Sequence, residues 1–230
     1  MRIQVRKWDS AFFQIKIGEV FIDNSKKFDE LEDSSYDMIL ASSEKEFKLN
    51  IPGYKNSYEG SLVLYQKNIK TFSEYDDTGI KTLREGDSFD KEELYELAYE
   101  SGKFSRFNLD SNFRTHAFKN LYRKWVENSL NATIADEVII YKDRGGILGF
   151  ITYKIQHRSC YIGLLGIKPG EQGKGIGGSL LASVENKIFY RGIKKVKVKT
   201  QQENLPAINF YEAKDFKEEQ KNFIKHYWKK

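Results

Sequence analysis

Residues 160–178 read Cys-Tyr-Ile-Gly-Leu-Leu-Gly-Ile-Lys-Pro-Gly-Glu-Gln-Gly-Lys-Gly-Ile-Gly-Gly. The apolar run Tyr161 to Ile167 predicts a buried strand, and Pro169-Gly170 stops it. A glycine-dense turn then leads into apolar positions at helical spacing: Ile176, Leu180, Leu181, Val184 and Ile188. The order is strand, loop, helix. Glycines at 173, 175 and 177 leave backbone N–H groups clear of side chains at a helix N-terminus, where unpaired donors and the helix dipole favour an anion. The loop is built to hold phosphate.

Three kinds of phosphate loop compete for this stretch. A P-loop fails on spacing, because Lys168 stands five before Gly173 and Gly175 follows Lys174. The dinucleotide fingerprint G-x-G-x-x-G is present as Gly173, Gly175 and Gly178, between a strand and a helix. That fold needs an acidic residue at the end of the next strand and further βαβ units. Here the next strand, Val196 to Thr200, runs into Gln201-Gln202, and little chain follows. The third reading uses Gln172-Gly-Lys-Gly175-Ile-Gly177, which resembles the Q/R-x-x-G-x-G/A pyrophosphate loop of the GNAT (Gcn5-related N-acetyltransferase) superfamily. Downstream, Asn204, Ala207 and Phe210-Tyr211-Glu212 fall where that superfamily carries N-x-x-A-x-x-x-Y-E, and Phe216 falls where its Gly-Phe stands. Asp215 replaces the glycine, and Asp also tolerates the left-handed conformation that ends a helix.

The resemblance implies an α/β (α+β) GNAT fold, a mixed central sheet flanked by helices, over roughly the C-terminal 140 residues. Three more segments, Trp8 to Phe13, Ser101 to Phe107 and Leu121 to Leu130, are similar to bacterial acetyltransferases of the WecD type. Those enzymes acetylate the amine of a TDP-linked amino-dideoxyhexose, TDP-fucosamine being the type substrate. This second likeness extends over nearly the whole chain and implies a homodimer.

Composition sets the outer bounds. The chain has 230 residues, 40% hydrophobic and 31% charged, which fits a globular protein of one large or two small domains. No stretch approaches 18 apolar residues and the N-terminus lacks a signal-peptide core, so a cytoplasmic protein with no membrane insertion is expected. Cys160 is the single cysteine and sits in the predicted central strand as a core thiol. Residues 1–100 hold 14 Lys/Arg against 21 Asp/Glu, and residues 101–230 hold 24 against 12. The basic residues are scattered, without an arginine-rich run or a recognition-helix pattern. An anionic small ligand is therefore a better partner than nucleic acid.

The polar, acidic stretch Thr71 to Asp90 suggests a boundary. Residues 1–80 are expected as a smaller N-terminal partial α/β domain and 81–230 as the GNAT domain. In the first, Ile3 to Arg6, Phe12 to Ile17, Gly18 to Ile22, Asp37 to Ser42, Phe47 to Leu49 and Ser61 to Gln66 read as short strands, with a helix over Lys27 to Ser35. This unit shows no glycine loop, metal-ligand cluster or nucleophile triad, and is expected to act by shape. In the second, Lys91 to Ser101 and Phe118 to Leu130 read as helices, with Gly102 as a C-cap. Three strands follow, with a hairpin at Asp143 to Gly146.

In a GNAT reaction the amine attacks the thioester directly, so two substrates must be placed and the leaving thiolate protonated. The resemblance implies acetyl-CoA as co-substrate and no metal. Gln172, Gly173, Lys174, Gly175, Ile176 and Gly177 would hold its pyrophosphate, Lys174 acting as counter-charge. Leu165 and Ile167 would offer strand N–H and C=O groups to the pantetheine arm, with Asn204 and Asn209 beside it; Asn204 also reads as a helix N-cap. Tyr211 would be the general acid, since a phenol is protonated at neutral pH; a packed aromatic is the other reading. The strand 160–167 has no carboxylate, so the base is left to backbone-held water, His226 or His157, each histidine also reading as structural. Arg106 reads either as a contact for a nucleotide-sugar phosphate or as a surface ion pair. Other acceptors (a protein N-terminus, a polyamine, an aminoglycoside) and a non-catalytic acyl-CoA or nucleotide-binding module stand as alternatives.

Overall fold

The computed structural model describes residues 3–23, 35–84 and 86–230. Its elements are β1 (Gln4–Val5), α1 (Lys7–Phe13), β2 (Ile17–Phe21), β3 (Met38–Ser43), β4 (Tyr54–Asn68), β5 (Ile80–Thr82), α2 (Lys91–Ser101), α3 (Arg106–Leu109), α4 (Ala117–Leu130), β6 (Glu137–Asp143), β7 (Gly146–Gln156), β8 (Ser159–Ile167), α5 (Ile176–Tyr190), β9 (Lys195–Gln201), α6 (Leu205–Glu212) and β10 (Lys217–Lys229). Alternation along β6 shows the layering. Val138 and Ile140 pack with Leu94, Leu97 and Leu121 of α2 and α4, whereas Ile139 between them packs with Leu180, Leu181 and Val184 of α5. Helices thus cover both faces of one sheet.

The sheet has ten strands in the order β1-β2-β3-β10-β4-β9-β8-β7-β6-β5. Two neighbouring pairs, β2 with β3 and β8 with β9, are parallel, which makes it the mixed sheet expected. β4 lies between β10 and β9, hydrogen-bonded to both, so residues 1–80 and 81–230 share one sheet. A division at residue 80 therefore separates strands that are neighbours. The polar stretch around it is the crossing from β4 to β5 at the far edge of the sheet.

Several local readings change. Phe12 and Phe13 end helix α1 instead of opening a strand. Asp9 and Phe13, four apart, share its buried face, and Gln14 stops it in the left-handed region at φ 56°. Phe47 is buried in a third apolar cluster beneath β3, but 47–49 form no strand. The helix expected at Lys27 to Ser35 lies, apart from its last residue, outside the described residues. Gly102 does follow α2, but at φ −98° it is no left-handed cap. The ring of Tyr122 occupies the place its Cβ would take, and that close approach is what requires glycine there. Asp215 does adopt the left-handed conformation, at φ 65°.

Candidate active site

The site begins where the sheet opens. β8 and β9 pair in parallel only from Cys160 with Val196 to Ile162 with Val198. Beyond Ile162 this edge of β8 has no strand beside it. The N–H of Leu164 donates to Thr152 Oγ1 (2.9 Å) and that of Lys168 to the carbonyl of Leu148 (2.8 Å), both on β7. Alternation along the strand then turns the N–H and C=O groups of Leu165 and Ile167 toward the open side. Ile167 O lies 3.5 Å from Gln172 Nε2 there.

The glycine loop forms one end of the resulting groove, a cavity of about 580 Å³. Gly173 and Gly175 have φ of 80° and 88°, a conformation that costs an L-residue about 1–2 kcal/mol. α5 starts with Ser179 N–H donating to Gly175 O (3.0 Å). Among the described residues, none of the backbone N–H groups from Gln172 to Gly178 donates to a backbone or side-chain oxygen. This is an anion cradle: a run of unpaired donors at a helix N-terminus. Gln172, Ile176, Gly177 and Asn209 line the groove with it. Lys174 does not; its amine, exposed, binds Glu171 at 3.0 Å. The lysines that do line the groove are Lys103 and Lys214, the latter with its Nζ 3.3 Å from where a Cβ on Gly178 would stand.

Tyr211 projects from α6 into the point where this groove meets a second, inner cavity of about 290 Å³. Ser101, Leu165, Asn204, Ala207 and Tyr211 line both. Asn204 caps α6, its side chain accepting from Ala207 N–H at 3.3 Å, so it holds the helix that carries Tyr211 while bordering both spaces. Tyr211 is 4% exposed and packs against Phe210 and Phe216. Its hydroxyl has no hydrogen-bond partner among the described residues, and burial pushes its pKa above the ordinary phenol value. The group stays protonated at neutral pH.

Part of the inner cavity comes from the N-terminal residues, which were expected to act by shape. Arg6, Asp9, Tyr58, Ser61 and Leu62 line it, because β4 sits beside β9 and α1 packs across the same mouth. The three segments that resembled the WecD type converge here, as Asp9 from the first, Ser101, Arg106 and Phe107 from the second, and Tyr122 and Trp125 from the third. Among the described residues Arg106 makes no ion pair, and it lines the cavity. His226 is fully buried on β10 behind Tyr58, its ring 4.9 Å from that phenol ring. Its Nδ1 binds Asp110 at 2.7 Å and its Nε2 has no partner. Burial lowers its pKa to about 4, against the pull of the Asp110 hydrogen bond, so it is neutral at pH 7. His157 lies exposed in the β7–β8 turn with φ 48° and lines neither cavity. Cys160 is fully buried and burial raises its thiol to about 12, as a core thiol requires.

Residues 92–216 match the model of the acetyltransferase (GNAT) family. The spore coat polysaccharide biosynthesis protein SpsD of Bacillus subtilis (strain 168) is 30% identical over 139 residues, which are 60% of this chain and 48% of that protein. The uncharacterized protein YdhI of the same organism is 34% identical over 74 residues, 32% of this chain and 45% of its own. The chain therefore spans about half the length of the curated relatives it matches. Among solved structures, a GNAT-family protein from Novosphingobium aromaticivorans superposes with a TM-score of 0.54 at 14% identity, over 87% of this chain and 77% of its own. A GCN5-related N-acetyltransferase from Sphaerobacter thermophilus does so with 0.53 at 14%, over 82% and 59%. These two likenesses are of fold. Among the described residues no helix is long and apolar enough to cross a membrane.

Proposed function

The chain belongs to the acetyltransferase (GNAT) family, and from that premise we propose that it is an N-acetyltransferase that transfers acetyl from acetyl-CoA to the amine of a TDP-linked amino-dideoxy sugar. The observation that carries this reading is the meeting of two cavities at Tyr211, one ending in an anion cradle and the other closed by the three segments that resemble the WecD type. The likeness to a spore coat polysaccharide biosynthesis protein supports a sugar-linked acceptor.

The residues divide the work. The free N–H groups of the loop take the pyrophosphate of acetyl-CoA, with Lys214 as flanking charge. Leu165 and Ile167 hydrogen-bond the pantetheine amides on the strand edge that β9 leaves open, which sets the thioester at the junction. The acceptor enters from the inner cavity and its neutral amine attacks the thioester carbonyl. The C–N bond forms as the C–S bond breaks, Tyr211 gives its proton to the departing thiolate, and the proton released by the acylated nitrogen passes through solvent to restore the phenol. Asn204 fixes α6 so that the phenol reaches both partners.

The test is thiol release from acetyl-CoA across TDP-amino sugars, with peptides and polyamines alongside. Turnover confined to a TDP-amino sugar supports the acceptor; turnover confined to peptides or polyamines removes it.

A further inference from the structure

The inner cavity carries an unbalanced charge. Arg106 lines it with the ring centroid of Phe107 4.7 Å from its guanidinium carbon, and among the described residues it has no ion pair and no side-chain hydrogen bond. The carboxylate within reach, Asp9, is taken by Arg6 Nε, and Arg6 Nη1 continues to Glu19 at 2.9 Å. Lys199, on the same wall but exposed, has no ion pair among the described residues. Arg6 is thus balanced by Asp9 and Glu19, and Arg106 and the exposed Lys199 are the lining cations left without a direct ion pair among the described residues. Burial, with Arg6 close by, lowers Arg106 to about 10, which leaves it charged at neutral pH. A guanidinium held partly out of water without an anion is an unfavourable arrangement unless a ligand completes it.

We propose that Arg106 is the oxyanion receptor of the acceptor cavity, so that the enzyme selects amines whose body also carries a phosphoryl or carboxylate group. This rests on the reading of the inner cavity as the acceptor site. The planar guanidinium binds two oxygens of such a group at once. The Arg6–Asp9 pair beside it is internally neutralised and acts as a wall. The oxyanion lies on the Arg106 side and the amine at Tyr211, so one molecule must reach between them. A polyamine, all cation, meets repulsion at Arg106.

The experiment titrates CoA-saturated wild type, Arg106→Gln and Arg106→Lys with TDP, inorganic pyrophosphate and glucuronate, after CoA affinity has established that each variant is folded. The expected result is TDP binding by wild type, at least 30-fold weaker in Arg106→Gln and intermediate in Arg106→Lys, with CoA affinity within twofold throughout. Pyrophosphate binding without glucuronate assigns a phosphoryl group, and the reverse assigns a carboxylate; either supports the receptor. Equal binding of the bound probe by wild type and Arg106→Gln, or no anion bound by wild type, overturns it. The two proposals fail differently. Turnover of a TDP-amino sugar with a KM unmoved by Arg106→Gln removes this inference and leaves the function, whereas wild-type turnover of polyamines alone removes the TDP-sugar acceptor.

Discussion

A phenol with no internal hydrogen-bond partner, 4% exposed at the crossing of two cavities, is poised to give its proton to a ligand. Tyr211→Phe keeps the packing on Phe210 and Phe216 and removes only the donor. General acid catalysis is worth about 10²–10⁴-fold, so kcat should fall by about that factor while CoA affinity stays within twofold. Thiol-release kinetics beside CoA titration check it, and an unchanged kcat takes Tyr211 out of the mechanism. The places of Tyr211 and the loop at the groove were legible because both are written locally, in glycines and in one helix. Tyr58, Arg6 and Asp9 were not, because β4 and α1 reach the cavity from distant chain positions. Which lysines line the groove was hidden for a related reason. Lys174 stands in the loop but three residues from Glu171, which holds it, while Lys214 comes from beyond α6 to stand over the start of α5.

At the scale of the element, α5 joins the loop to the core. Leu180, Leu181, Val184 and Ile188 are all buried under the sheet, and Leu180→Ala should cost about 2–5 kcal/mol, read as a lower urea midpoint. Gly175 is a different kind of position, with nothing within 4 Å of its absent Cβ but φ at 88°. Gly175→Ala should cost about 1–2 kcal/mol from backbone strain alone and weaken CoA binding by turning the loop's N–H groups. A normal CoA affinity in that variant would mean that the cradle does not depend on this conformation. Helical and strand periodicity found α2, α4, α5 and β6 to β8, each a long element with one clear stripe. It missed α1, whose seven residues end in two aromatics that alternate as plausibly as a strand does.

Across the whole molecule, Asp110 ties three regions together at the end of α3. It accepts from Ser57 of β4 (3.1 Å), from His226 and Trp228 of β10 (2.7 and 2.9 Å), and from Asn112. Burial would raise its pKa, but these donors, His226 first, outweigh that and hold it well below the usual carboxylate range. His226 is lowered to about 4 from an unfolded value of 6.5, so between these pH values the unfolded chain binds a proton that the folded one refuses. Stability should therefore decline as pH drops from 6.5 to 4, and decline further below the ordinary Asp value as Asp110 protonates on unfolding. Urea melts across this range should show the slope, and His226→Asn should flatten its upper part. A second expectation follows from β4. Residues 81–230 alone would leave β9 and β10 without the strand between them, so that fragment should aggregate or lack CoA binding. A folded, CoA-binding fragment would show that the strand is dispensable. No composition signal marked this sharing, since strand pairing depends on register and not on local residue type.

The position of β4 also bears on how the protein is made. Ser61 pairs with Phe223 and Leu62 with Gln201, so each ladder joins strands separated by most of the chain. On the ribosome β4 emerges long before either partner, and its two backbone edges wait as open templates while α2 through α5 are synthesised. The charges along it, Lys55, Glu59 and Lys67, then act as guards against pairing with another nascent chain, before two of them settle into ion pairs with Lys225 and Glu185. The two ladders of β4 can therefore close only after β9 and β10 have been made.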